Sequence, residues 1–357
     1  MSRWSGPDDS ADDSDTGPEA RDWTWIAPVW VLVALFVVVT TVRSRIVGIP
    51  FRDPHGSVFS SRFALSLGLF MVLAVGDAAV RTGRRGWTAS RAAGVLARRW
   101  TPRRLALALS ALLAYHLVYL CYHNLKSWDA FNRVRDGMLL DWDRRLFFGH
   151  TPALLLHDLL GQHVAAYVLM VVYESFSTVV SISVVAAVVL PRRTRDSYVF
   201  IASALWVWIL GVGSYYLIPS IGPFHSAPQD FSGLPHTMIQ STQARYMAQR
   251  ANLLAHPQAP HAFAQVSAFA SLHVGLTCFI LLMARYFRLR VASALMSVFL
   301  VATMVATVYL GWHFAVDDVA GVAVAALGVL LGRTMIYPPR PLRGHSLPGT
   351  RRLSRSR

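Results

Sequence analysis

The sequence predicts an all-α, polytopic membrane protein with about eight transmembrane helices. Three observations carry that reading. The 357 residues are 54% hydrophobic and only 15% charged, whereas a soluble domain is about 25% charged. The apolar residues gather into stretches close to the roughly 20 residues that a spanning helix requires. Between these stretches, the basic residues crowd into alternate loops.

The apolar stretches run over residues 24–43, 63–80, 105–123, 165–190, 198–219, 268–284, 291–311 and 314–336. The sixth is the shortest, and the last two almost touch. Ahead of them, residues 1–22 carry seven acids among Ser, Gly and Pro. This is the composition of a disordered acidic tail, and it lacks the basic start and short apolar core of a signal peptide. No internal repeat is present. The organisation expected is a tail at 1–22, two helices and a basic loop at 23–104, a six-helix core at 105–337 and a basic tail at 338–357.

Orientation follows from the arginines. The segment 81–104 holds eight of them (Arg81, Arg84, Arg85, Arg91, Arg98, Arg99, Arg103 and Arg104), and 191–197 and 285–290 hold three each. With seven more from Arg333 onward, these alternate segments contain 21 of the 34 Lys and Arg residues. The positive-inside rule therefore places both termini in the cytoplasm of a cell whose plasma membrane the chain crosses. So placed, the formal charge of +15 is a topology signal with a secondary attraction to anionic lipid, and nucleic acid is not an expected partner. Lys126 is the single lysine, an arginine bias that points to a GC-rich genome such as an actinobacterium's. Cys121 and Cys278 both sit in apolar runs and provide neither a disulfide framework nor a metal spacing. No cofactor is expected.

Two polar interruptions stand out: FAQVSAFASLHVGLTCF opens the sixth stretch with Ser271 and His273, and ATVYLGWHFAVDDVAG places His313, Asp317 and Asp318 before the eighth. An ionisable group at membrane depth costs roughly 2.5 to 3.5 kcal/mol on insertion scales, so it calls for a partner or a purpose. His313 and Asp317 are four apart and share a helix face, so the carboxylate can orient the imidazole. Both interruptions fall at helix starts on the same side, where free N–H groups favour phosphate. Asp318 is expected to face water, and Asp77 and Glu174 have no obvious partner. The long loop after the fifth stretch, with IPSIGPFH at its start, could form a partial lid.

At these residues the chain resembles the type 2 phosphatidic acid phosphatase superfamily. More narrowly, it is similar to the branch containing fungal inositol-phosphorylceramide synthase and, more distantly, sphingomyelin synthase. Ser271-Leu272-His273 matches that branch's Ser-Leu-His, where the phosphatases have Ser-Gly-His. His313 and Asp317 match the last motif, with Ala306 and Thr307 where the phosphatases carry Ser-Arg. The resemblance covers the six stretches from about 105 to 336 and implies a six-helix phosphatase-like core. It implies that His313 attacks phosphorus to form a phosphohistidine, that Asp317 holds the imidazole, that His273 protonates the leaving oxygen and that Ser271 binds a phosphoryl oxygen, without a metal.

The family's first motif, a Lys followed after six residues by Arg-Pro, is missing. Arg333 and Arg340-Pro341 mimic it, but they follow the other motifs and lie on the cytoplasmic side. Phosphate in an apolar site still needs cations, and Lys126, Arg245 and Arg250 are the candidates. The expected activity is therefore phosphotransfer or hydrolysis on a membrane lipid phosphate at the outer leaflet, inositolphosphotransferase-like. Simple dephosphorylation of a lipid or polyprenyl phosphate is the alternative within that chemistry, and a lipid transporter or flippase is the alternative outside it.

Overall fold

The computed structural model describes residues 24–83 and 86–338. The acidic tail, Arg84, Arg85 and the basic tail, with Arg340-Pro341, lie outside the described residues. Among the described residues every regular element is helical: α1 (Ala27–Val47), α2 (Ser60–Gly83), α3 (Ala89–Arg99), α4 (Pro102–Trp128), α5 (Asp136–Leu146), α6 (Pro152–Leu160), α7 (Val164–Val189), α8 (Thr194–Leu217), α9 (Pro223–Ser226), α10 (Met238–Ala255), α11 (Leu272–Tyr286), α12 (Arg290–Tyr309) and α13 (Ala315–Ile336). Seven of them (α1, α2, α4, α7, α8, α12 and α13) are long and apolar enough to cross a membrane. The chain is a multi-pass membrane protein.

The expected sixth span is the exception. α11 has 15 residues, or about 22 Å of helix against a hydrocarbon core of about 30 Å. Residues 262–271 before it are irregular and largely buried. Irregular backbone at membrane depth needs internal partners for its N–H groups, and serines on neighbouring elements supply them. Ala264 N–H donates to Ser127 Oγ at 2.9 Å, Phe269 N–H to Ser220 Oγ at 2.8 Å and Ala270 N–H to Ser214 Oγ at 2.9 Å. Ala268 N–H donates to the Ser220 carbonyl at 3.0 Å. Hydropathy alone counts residues 268–271 of this segment as helix because they are mostly apolar; the hydroxyls around them are what allow them to be something else.

α8 lies at the centre, packed by α4, α7, α11 and α13. Its closest neighbour is α13, where two glycines remove the bulk between the backbones. A Cβ at Gly328 would stand 2.6 Å from Val207 Cγ2, and one at Gly332 would run into Ser203. Small residues at such spacing are the common way for membrane helices to approach. This contact fixes the tilt and depth of α13, and so the height of its first turn.

At the end of the bundle where α4 and α8 begin, arginines cap helix C-termini. Arg99 donates to the carbonyls of Val189, Leu190 and Pro191, at 2.8, 3.0 and 3.3 Å, and Arg104 to those of Pro191 and Arg192. Arg195 donates to the Ile336 carbonyl at 2.6 Å. Asp77 is not unpartnered: it pairs with Arg81 at 2.9 Å and Arg99 at 3.0 Å. Glu174 is exposed on α7.

Candidate active site

His313 sits at the other end, in the turn between α12 and α13. Gly311, at φ +79°, lets the chain reverse there, and the N–H groups of Trp312 and His313 both return to the Thr307 carbonyl, at 3.0 and 3.2 Å. The helix that follows places Asp317 one turn on, fully buried. His313 Nδ1 lies 3.3 Å from Asp317 Oδ2. That contact calls for the proton on Nδ1, which leaves the Nε2 lone pair available. Burial pushes the His313 imidazole down to about 3, and the charge of Lys126 adds to the effect. His313 is therefore neutral near pH 7, the state a nucleophile requires.

The start of α13 is not the open N–H cluster that the sequence predicts. Asp317 Oδ2 accepts the Phe314 N–H at 3.1 Å. Asp143, brought in by α5, accepts the N–H groups of Ala315 and Val316 at 2.8 and 3.0 Å. Two carboxylates thus take the positive end of the helix, in the arrangement its dipole favours. Burial raises the Asp143 carboxyl despite both bonds.

Ser271 joins the two helix starts. Its N–H donates to the Asp317 carbonyl at 3.0 Å, and its Oγ accepts the Val274 N–H at 3.4 Å. The close approach depends on Gly321, where a Cβ would collide with the Ser271 carbonyl. Asp318, expected to face water, is instead buried. It accepts the Thr307 hydroxyl at 3.1 Å and a bond from Ser271, so it links α11, α12 and α13.

His273 faces His313 with ring centroids 5.9 Å apart. Tyr173 stacks on His273 at 4.3 Å and, with nearly parallel rings, on Trp312 at 5.4 Å. Phe176 closes the other side of His273 at 4.3 Å, while Phe224 and Tyr246 pack on Trp312. The long loop is pinned over this roof. Phe224 N–H donates to the Gly311 carbonyl at 3.0 Å and Gln243 Nε2 to that of Leu310 at 2.9 Å. Asp136 accepts the N–H groups of Ile221 and Gly222.

The three candidate cations part company. Lys126, in the last turn of α4, lies with its Nζ 5.7 Å from the Tyr215 ring centroid, and its charge is felt at both His273 and His313. Arg245 is exposed on α10 over Tyr246. Arg250 donates to the Ala130 carbonyl at 3.0 Å and ties α10 to the segment after α4. His313, Asp317, His273, Ser271 and Lys126 therefore share one site, with Arg245 at its rim and Arg250 engaged elsewhere. Asp143 and Asp136 escape sequence reasoning because each acts on backbone far along the chain; their only signal is their spacing within the short amphipathic segment DGMLLDWD.

Taken together, fold and site define a helical, multi-pass membrane protein in which a buried His–Asp pair faces a second histidine across two helix starts. Residues 137–331, more than half of the chain, match the family model of the PAP2 superfamily, and the chain belongs to that superfamily. Comparison with curated proteins and with solved structures finds no match to the chain. The matched region begins within α5 and ends within α13, so α1 to α4, Lys126 included, lie before it.

Proposed function

We propose that this PAP2-superfamily protein transfers or hydrolyses the phosphorylated headgroup of a membrane lipid through His313. The observation that carries the reading is the buried His313–Asp317 pair with His273 opposite it. His313 Nε2 attacks phosphorus and the bond from phosphorus to the leaving oxygen breaks. That oxygen takes a proton from His273, a step worth typically 10²–10⁴-fold. Burial and the nearby charges push this imidazole down, so His273 takes up that proton with the negatively charged phosphate, whose charge favours the imidazolium. Asp317 holds the Nδ1 proton and offsets the charge the ring gains. Water or an alcohol, giving its proton to His273, then takes the group from His313 as the bond from phosphorus to Nε2 breaks, and the resting enzyme is restored. Lys126 supplies positive charge to the phosphate and Arg245 could meet it at the rim. Ser271, held between Asp318 and Val274, braces the two helix starts as well as lying near the phosphoryl oxygens.

Between acceptors, transfer to a lipid alcohol is favoured over hydrolysis. The support is the Ser271-Leu272-His273 motif and Thr307 in place of the phosphatase Arg. The Thr307 hydroxyl lies between the Met304 carbonyl at 2.9 Å and Asp318 at 3.1 Å, so this position braces the helices and gives the phosphate no cation. The reading is inositolphosphotransferase-like, with lipid or polyprenyl phosphate hydrolysis as the alternative. Turnover of a phosphatidylinositol-type donor with and without lipid alcohols, followed by mass spectrometry, separates the two. Inorganic phosphate from monoester lipids with no headgroup transfer to any acceptor would establish a phosphatase.

The site is assigned to the extracellular face of the plasma membrane, with both termini cytoplasmic, on the strength of the arginine distribution. Cysteine accessibility tests this directly, since the native Cys121 and Cys278 are both buried. Ser232→Cys, exposed beside the site, should react with an impermeant thiol reagent in intact cells. Ser90→Cys, exposed on α3, should react only after lysis. The reverse pattern would invert the topology.

A further inference from the structure

The geometry points to a binding groove for the hydrocarbon chain of the lipid substrate, walled by α2 and α4 on one side and by α7 and α8 on the other. This inference rests on the reading of the site as a lipid phosphate enzyme. A hollow of about 50 Å³ is lined there by Arg62, Leu65, Tyr119, Phe176, Ser181 and Trp208, among others. Three observations say what fills it.

The first is continuity with the site. Phe176 forms one end of the groove and also packs against His273 at 4.3 Å. From Phe176 the groove follows α7 to Val184, eight residues or about 12 Å along the helix axis. A phosphate held between His273 and His313 would place its hydrocarbon chain at the mouth of this groove.

The second observation is the character of the walls. Several polar groups on the floor are already satisfied: Ser66 Oγ meets His116 Nε2 at 3.1 Å, and His116 Nδ1 meets the Leu112 carbonyl at 2.8 Å, while Trp208 Nε1 is buried without a hydrogen-bond partner. Ser181 donates to the Ser177 carbonyl at 2.8 Å. What remains to line the groove is aliphatic and aromatic, and Leu65 is 63% exposed at its edge. A surface in which such side chains predominate suits an acyl or prenyl chain.

The third is charge. Arg62, at the start of α2, lies 5.2 Å from the Tyr119 ring centroid, and its charge is felt at Tyr246, which covers Trp312 beside His313. No carboxylate among the described residues lies within ion-pair distance of it. Arg62 Nε donates to the Ser57 carbonyl at 3.3 Å, and a cation at the edge of an apolar groove complements a lipid phosphate and not a neutral lipid. On this assignment the hairpin α1–α2, which precedes the region matched to the superfamily, contributes one wall of the substrate site.

The test uses the full-length protein in nanodiscs. A phosphatidic acid and a phosphatidylinositol carrying a mid-chain diazirine, with the matching diacylglycerol as control, are photolysed and the labelled peptides mapped. Label from either phosphate lipid on α2, α4 and α7 around Leu65, Tyr119 and Val180, about tenfold above the control, is expected. Label elsewhere, or equal label from diacylglycerol, overturns the assignment. In parallel, Ser181→Trp should raise KM for the dioleoyl form of whichever of the two is turned over by about tenfold, the equivalent of two lost methylene contacts. Its dihexanoyl counterpart should be unaffected, and equal effects on both chain lengths, or none, would count against the groove. If the wild type turns over neither lipid, the proposed function falls, while the labelling pattern still decides the groove.

Discussion

The two ends of the helical bundle satisfy their helix termini in opposite ways. At the histidine end, buried carboxylates accept the first N–H groups of helices: Asp143 and Asp317 serve α13. At the arginine end, guanidinium groups donate to the last carbonyls: Arg99 serves α7 and Arg195 serves α13, while Arg104 holds the turn that follows α7. Both follow the helix dipole. The difference lies in what each arrangement costs. The arginine heads keep partial access to water, whereas Asp143, Asp317 and Asp318 are almost wholly buried. A fold that needed only capped helices could use side chains that are cheaper to bury. The expense is concentrated where the two histidines meet.

The sharpest way to break this contrast is at the histidines. His313→Ala, Asp317→Asn and His273→Ala should each lower kcat/KM by several orders of magnitude, with nearly the same loss in the triple variant, since residues acting as a unit are not additive. Retained activity in His313→Ala would remove the nucleophile. Next in size is Asp143→Asn, which touches no substrate but turns one of the two acceptor oxygens into an NH2 group and so leaves one of the Ala315 and Val316 N–H groups without its partner. It should lower kcat by roughly ten- to a hundredfold through the lost height of His313, an effect typical of small displacements near chemistry. A drop in melting temperature with kcat preserved would make Asp143 a cap and nothing more.

Lys126→Met should act chiefly on binding, raising KM by about tenfold and reducing the salt dependence of turnover. The same substitution tests the pH behaviour of His313. Because burial holds its imidazole near 3 in the folded protein, and an unfolded His titrates near 6.5, the unfolded chain binds more protons between those values. Stability in detergent should therefore fall as pH drops from about 6.5 towards 3, and His313→Gln should flatten that slope. Removing the Lys126 charge should shift the imidazole upward and narrow the window.

Much of this was legible in the sequence, and the shortfalls share a cause. The apolar stretches located seven spanning helices, and the four-residue spacing of His313 and Asp317 placed their contact. The irregular segment before α11 was not legible, because its residues are nearly as apolar as a helix and its partners Ser127, Ser214 and Ser220 lie far off in the chain. Asp318 was expected at the surface because its neighbour Asp317 already explained the motif; Thr307 and Ser271, which hold it, are brought together only by the packing of three helices. Hydropathy reports how a segment meets lipid. It is blind to polar groups that meet each other.

The smallest expected effect on function comes from the arginine end, and it completes the comparison. Arg99 joins Asp77 of α2 to the last carbonyls of α7, with Asp77 and Arg99 side chains each 11% exposed. Its removal should cost stability, since a hydrogen bond from a charged donor contributes roughly 1.5 to 3 kcal/mol when well shielded and less near water. Arg99→Gln should therefore lower the melting temperature in detergent by a few degrees. Turnover per folded molecule should stay within about twofold of the wild type, because Tyr173 and Phe176 lie about four turns back along α7 from its last residue, at about 3.6 residues per turn. If kcat instead falls with the melting temperature unchanged, the two ends are coupled through α7, and the division between a supporting end and a reacting end does not hold.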